Sequence, residues 1–403
     1  MATFEKAYED AHTSGLLPGV TLLAANREGT FKYEETIGVR SLKPGDSTKP
    51  MQLDSVLAIA SCTKLMTAIS VLQCVERGQL DLDADVAPIL PEAGKFGVIT
   101  DFDDVKNEAL FEPKTGPITL RQLLTHTSGH TYDFFNPSLL KWRESRGETP
   151  MGGPTIEEKS TLPLVFQPGT GWAYGGSIDW AGKMVERVTG ESLETHMSKN
   201  IWTPLGIKDI TFWPLQRDDM RSRIADVSGI GPDGKCVDMP WDMTVGAKEC
   251  MGGGGAYATS SAYFDVLQAV LREDTKLLSP ASYAELFRPQ LNDQCKEALN
   301  NLILTDQAQH EYLSVNVPRS AKKNWCFAGL VLEEDQTGWM RKNTILWAGL
   351  PCIIWFIDRE AGLCGFAGTQ VVPPMAPPIV GLHGNFQREI YDLLASANSK
   401  SRI

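Results

Sequence analysis

The sequence predicts an α/β protein of the α+β type. An antiparallel sheet, flanked by helices and built from both ends of the chain, holds a mostly helical domain inserted between them. Three observations predict this. Two β-prone runs, 19–25 and 31–38, flank Asn26-Arg27-Glu28-Gly29, which is a hairpin signal. Four more runs with β-branched or aromatic character, 324–332, 344–347, 352–358 and 363–369, lie near the other end. The stretch between them is rich in Pro, Gly and Trp, and its periodic segments are helical. The expected boundaries are 1–95 and 322–403 for the sheet domain and 96–321 for the insertion, with a functional site at their interface.

The elements follow in order. Residues 3–13 place Phe4, Ala7, Tyr8 and Ala11 on one side of a helix that Gly15 and Pro18 end. After the hairpin, the β-prone run 55–60 leads into a helix that runs to about Arg77, where Gly78 is a stop. A polar, irregular region begins at Asp81. Helices are predicted over 120–124, 177–188, 193–202 and 260–272, and Gly252-Gly253-Gly254-Gly255 reads as a flexible loop. Residues 378–397 form a closing helix.

Bulk properties exclude several classes. The chain has 403 residues, 42% apolar, and a formal net charge of −12. Nucleic-acid binding needs clustered Lys and Arg, so none is expected. The eight cysteines form no C-x-x-C pair and the six histidines no H-E-x-x-H. Neither a metal site nor another cofactor is therefore expected. Cysteines within apolar runs read as free thiols of a reducing compartment. The N-terminus lacks a basic region followed by an apolar stretch, and no run of 18 apolar residues occurs. A cytoplasmic protein without a membrane span is the expectation.

Chemistry concentrates at three places. Ser61-Cys62-Thr63-Lys64 joins the β-prone run to the helix. Residues three apart share a helix face, so the Ser61 hydroxyl stands beside the Lys64 amine at a helix N-terminus. A serine needs a base within reach to act as a nucleophile. Burial among Cys62, Leu65 and Met66 would lower the Lys64 pKa and make it one. The first N–H groups of the helix can stabilise an oxyanion. The ordinary alternative is an N-cap serine beside a solvated lysine.

The second place is Trp172-Ala173-Tyr174-Gly175-Gly176-Ser177, after the turn Gln167-Pro168-Gly169-Thr170-Gly171. Tyr174 there can present its hydroxyl to a pocket, and a phenolate beside a lysine ammonium can act as a base. A half-buried core tyrosine is the alternative. The third is Trp347-Ala348-Gly349-Leu350, at a strand end. Small residues there let a substrate lie against the backbone, and the Leu350 N–H can be a second oxyanion donor. The alternative is a simple bend. His126 and Ser128, in Leu-Leu-Thr-His-Thr-Ser-Gly at 123–129, read as turn and cap chemistry rather than a Ser–His pair.

In order and spacing the three motifs, with the 123–129 segment, resemble the serine β-lactamase and penicillin-binding superfamily, nearest its class C branch and esterase relatives. The chain is most similar to the fungal lovastatin-type acyltransferase subgroup. The resemblance runs from about residue 15 to the C-terminal helix. It implies that Ser61, Lys64 and Tyr174 are catalytic, with the N–H groups of Ser61 and Leu350 as oxyanion donors. Two departures bear on activity. The third motif has Trp347-Ala348-Gly349 where β-lactamases have Lys-Thr-Gly, and Gly176 replaces the Asn of the second motif.

The implied reaction moves an acyl group from an ester or thioester, through an acyl-serine, to the alcohol of a small-molecule acceptor of secondary-metabolite type. The donor is free or borne on a carrier-protein domain, for which the basic cluster Arg319, Lys322 and Lys323 is a candidate surface. Tyr132, Phe134, Trp172 and Trp347, with Ala348 and Gly349, are the expected substrate-binding residues. The rival readings are an esterase with the same Ser-Tyr-Lys machinery and a non-catalytic module that binds an acylated ligand.

Overall fold

The protein is described by a computed structural model that covers residues 2–400. Its largest sheet has seven antiparallel strands: β1 (Gly19–Asn26), β2 (Lys32–Gly38), β3 (Lys323–Trp325), β4 (Leu330–Leu332), β5 (Ile345–Gly349), β6 (Ile353–Asp358) and β7 (Leu363–Gly368). Their spatial order is β3-β4-β5-β6-β7-β1-β2. The N-terminal hairpin thus joins the C-terminal meander through β1 and β7, with Leu22 opposite Ala367 and Leu23 opposite Phe366.

Both sheet faces are covered, so β1 and β6 are buried along their whole length and show no polar face. On one side lie α1 (Thr3–Ser14) and the closing helix, here α5 (Pro377–Lys400). Phe4 meets Phe386 edge-on at 5.6 Å, and Tyr8 Oη lies 2.7 Å from His383 Nδ1. On the other side lies α4 (Ser260–Leu271), where Tyr263 packs on Phe366 at 5.8 Å. Beyond α4 comes α2 (Thr63–Glu76), whose residues from Thr63 to Cys74 are all buried. A helix buried on every side belongs in a core, and α2 is central to this one. Helix α3 (Ser177–Thr189) packs against it.

A small sheet ties the middle of the chain to the start of α2. Val56–Ala58 pairs with Tyr257–Thr259, which also pairs with Ile210–Thr211. The pairing brings the Gly252–Gly255 loop beside Ser61.

The structure departs from the sequence expectations in several places. The middle region is not only helical: Val98–Asp103 and Glu108–Glu112 form a β-hairpin, and Ser228–Ile230 sits between Val371–Val372 and Cys236–Asp238. The expected single strand 324–332 is two strands, β3 and β4. Between them Cys326 and Gly329 exchange backbone hydrogen bonds, and Gly329 has a φ of 158°, a value that favours glycine. The Gly252–Gly255 loop is not a flexible excursion. Thr67 Oγ1 donates to Gly252 O at 2.7 Å and the Ala256 N–H donates to Thr63 Oγ1 at 3.1 Å, which fasten it to α2.

Candidate active site

Ser61 is the middle residue of a single 3₁₀ turn, Ala60–Cys62, immediately before α2. Ala60 has a φ of 43°, a left-handed value that costs a non-glycine residue about 1–2 kcal/mol. The packing around the turn holds it there: Tyr263 Oη donates to Cys62 O at 2.9 Å, and Ile59 N–H donates to Ala256 O at 3.1 Å. The Ser61 side chain does not cap the helix. It accepts hydrogen bonds from Tyr174 Oη at 2.7 Å and from Lys64 Nζ at 3.1 Å. The three residues expected to act together are therefore in mutual contact.

Lys64 is 2% exposed and also donates to Gly253 O at 2.6 Å. Burial lowers its pKa to about 8, against the attraction of Asp179. The ordinary reading of Lys64 as a solvated helix residue is thereby excluded. Its Nζ lies 4.6 Å from the Tyr174 ring centroid.

Tyr174 reaches Ser61 because two chain segments run side by side. Ala173 N–H donates to His126 O, and Val165 N–H to Gly129 O. Thr131 Oγ1 then donates to Tyr174 O at 2.9 Å. Gly175 is required at this crossing, since a Cβ there would overlap the Thr131 backbone. Burial pushes the Tyr174 phenol upward, well away from ionisation. Burial thus disfavours the phenolate–ammonium pair and favours neutral phenol with neutral amine.

The third motif lies behind this centre. Trp347 is 3% exposed and its Nε1 donates to Tyr174 Oη at 3.3 Å. Gly349 lets β5 approach the serine turn, because a Cβ there would sit 2.5 Å from Ile59 O and 3.2 Å from Cys62 Sγ. Leu350, just past β5, lines the same cavity as Ser61.

That cavity has a volume of about 380 Å³ and mostly apolar walls. Tyr132 and Phe134 line it as expected, their rings stacked at 5.4 Å. Trp172 does not. It is packed behind Tyr174 against His126 and Trp325, buried in the core. Trp347, Ala348 and Gly349 are likewise absent from the cavity wall, so the substrate-facing position expected for them is not the one they take. The wall also contains Met151, Trp241, Met243, Val245 and Tyr312, which sequence reasoning missed. They come from loops and one short helix, where no periodicity marks a binding face.

Two further expectations are resolved. Ser128 pairs with His130 Nδ1 at 2.9 Å, whereas His126 Nδ1 lies 3.0 Å from Ser177 Oγ, so His126 and Ser128 are not a dyad. Lys323 leaves the expected basic cluster: it is buried, with Nζ donating to Pro318 O at 2.7 Å and Ala321 O at 2.8 Å. Among the described residues no cluster of His, Cys, Asp and Glu is arranged to hold a metal ion. No helix among them is long and apolar enough to cross a membrane.

The chain is similar to known proteins over nearly its whole length. The Beta-lactamase family profile matches residues 4–377. Lovastatin esterase from Penicillium rubens is 36% identical over 392 residues, covering 96% of this chain and 97% of the relative. Monacolin J acid methylbutanoyltransferase from Aspergillus terreus is 36% identical over 393 residues, covering 96% and 94%. Among solved structures, a mutant of simvastatin synthase (LovD) from Aspergillus terreus superposes with a TM-score of 0.90 at 34% identity, covering 98% of this chain and 95% of the other. The chain belongs to the Beta-lactamase family.

Proposed function

We propose that this enzyme transfers an acyl group from an ester or thioester, through an ester on Ser61, to the alcohol of a small secondary-metabolite acceptor. The observation that carries the reading is the Ser61 hydroxyl, held by both Tyr174 and Lys64 at the wall of an apolar cavity. Relatives named as a methylbutanoyltransferase and an esterase support the same chemistry.

In the proposed reaction Lys64, as free amine, is the final proton acceptor. The Ser61 proton passes to it directly or through the Tyr174 hydroxyl as Oγ attacks the acyl carbonyl. The N–H groups of Ser61 and Leu350 receive the oxyanion. The thiolate or alkoxide leaves with the proton, and an acceptor alcohol enters. Its proton goes to the Tyr174–Lys64 pair, its oxygen attacks the acyl-serine, and Ser61 regains a proton as the product ester departs. Tyr132 and Phe134 flank the acyl group, while Trp347 orients Tyr174. The family's third-motif cation is replaced by Trp347, which argues against a β-lactam carboxylate as ligand.

The donor is free or borne on a carrier-protein domain; Arg319 and Lys322 remain candidates for such a partner. The reading includes a division of the chain into a sheet domain, 1–95 and 322–403, and an insertion, 96–321. It also includes a cytoplasmic location, supported by eight cysteines that are all free thiols. Esterase activity is the second reading, because water can replace the alcohol. The test incubates the protein with a short acyl thioester and a panel of polycyclic alcohols. New ester in excess of free acid supports transfer; free acid alone, at every alcohol concentration, refutes it and leaves the esterase.

A further inference from the structure

Asp179 lies in the first turn of α3, five residues after Tyr174, and is 3% exposed. A buried carboxylate is costly unless it is hydrogen-bonded or paired. Its Oδ1 accepts the Gly253 N–H at 2.7 Å. The carbonyl of the same Gly253 accepts from Lys64 Nζ at 2.6 Å. The bridge is tight at residue 253, where a Cβ would stand 3.0 Å from Asp179 Oδ1. Asp179 also shares the cavity wall with Ser61.

We propose that Asp179 is a positioning residue for Lys64: through Gly253 it aims the amine at Ser61 and places a carboxylate behind it. The proposal rests on the reading of Lys64 as the base for Ser61. The surrounding groups are few. Lys64 faces the Ser61 hydroxyl and the Cys62 thiol on its own turn, the Tyr174 phenol, and His126, which burial and the nearby lysine keep neutral. Asp179 faces Lys64, with Lys159, Tyr132 and Tyr174 as its other ionisable neighbours. The Lys159 ammonium is held by Met151 O at 2.8 Å and Val245 O at 2.9 Å. Asp179 is thus the carboxylate that acts on Lys64, opposing the effect of burial.

The test measures the pH dependence of kcat/KM with a p-nitrophenyl ester. Asp179→Asn keeps an oxygen for the Gly253 N–H but removes the charge. The ammonium form of Lys64 then loses its stabilising anion, so the acid limb moves to lower pH by about one unit. Asp179→Glu, which keeps the charge, returns the limb toward its original position. Asp179→Ala also removes the hydrogen bond, and its plateau kcat falls at least tenfold below that of Asp179→Asn with KM unchanged. If Asp179→Asn does not fold, Asp179→Ser carries the same expected shift. An acid limb that stays in place, or moves to higher pH, in a folded uncharged variant overturns the proposal. A Ser61→Ala or Lys64→Met protein that retains full activity would instead remove the reading beneath it.

Discussion

Burial sets the protonation states around Ser61. The same apolar surroundings lower the Lys64 ammonium to about 8 and push the Tyr174 phenol up, so the neutral pair is the resting combination near and above that pH. The expected consequence is a kcat/KM that rises as pH passes upward through about 8, because the free amine is the competent form. A profile flat from pH 6 to 9 would contradict it. Tyr174→Phe removes the hydroxyl from Ser61 and leaves the ring between His126 and Trp347. The expected loss is about 10²–10⁴-fold in kcat with a folded protein, the range for removing a general acid–base group. The Ser61–Lys64 contact was legible in the sequence because one helical turn enforces it. The Tyr174 contact was not: it spans 113 residues of chain, and only the order of the motifs pointed to it. The phenolate expected beside Lys64 fails for a reason that spacing cannot express, the depth of burial.

Secondary structure positions these residues by close approach. β5 can lie against the serine turn because residue 349 has no side chain. Gly349→Ala is expected to destabilise the protein by about 1–3 kcal/mol, the cost of overpacking a tight interface, and to lower kcat by displacing the turn; a thermal melt and a rate assay read both. The segment carrying Trp241, Met243 and Val245 is anchored by Lys159. Lys159→Ala should loosen that wall and raise KM for a bulky acceptor several-fold while small esters keep theirs. The long, strongly patterned elements, α1, α2, α4, α5 and the hairpin β1–β2, were readable from apolar periodicity and turn residues. The hairpin 98–112 was missed because its burial does not alternate: Val98 and Ile99 are both buried in the first strand, and the second strand is largely exposed. β3 and β4 merged into one expected strand because Ala328-Gly329 sits within a continuous apolar run. The cavity wall was mostly illegible, since loop residues carry no period.

At the scale of the whole molecule, the sheet closes only when the two ends of the chain meet at β1 and β7. Long-range contacts of this kind make the ends and the middle a single folding problem, and they explain why both termini carried the sheet signal. Two buried histidines hold hydrogen bonds in the core. His130 binds Ser128, two residues away, and His383 ties remote parts together by joining Tyr8 to Cys352 O. Burial lowers both to about 4 from an ordinary value near 6.5. A depressed folded-state pKa means the unfolded chain binds protons first as pH falls. The stability these groups contribute is therefore complete above about pH 6.5 and is lost progressively toward pH 4. The melting temperature should fall by at least a few degrees between pH 7 and 5, and less in His383→Gln than in the native sequence. The central claim, that Ser61 carries the acyl group, is tested most directly by intact-protein and peptide mass spectrometry after mixing with an acyl thioester. An added acyl mass is expected on the peptide containing Ser61, absent in Ser61→Ala and discharged by an acceptor alcohol. An adduct on another residue, or one that persists in Ser61→Ala, would contradict it.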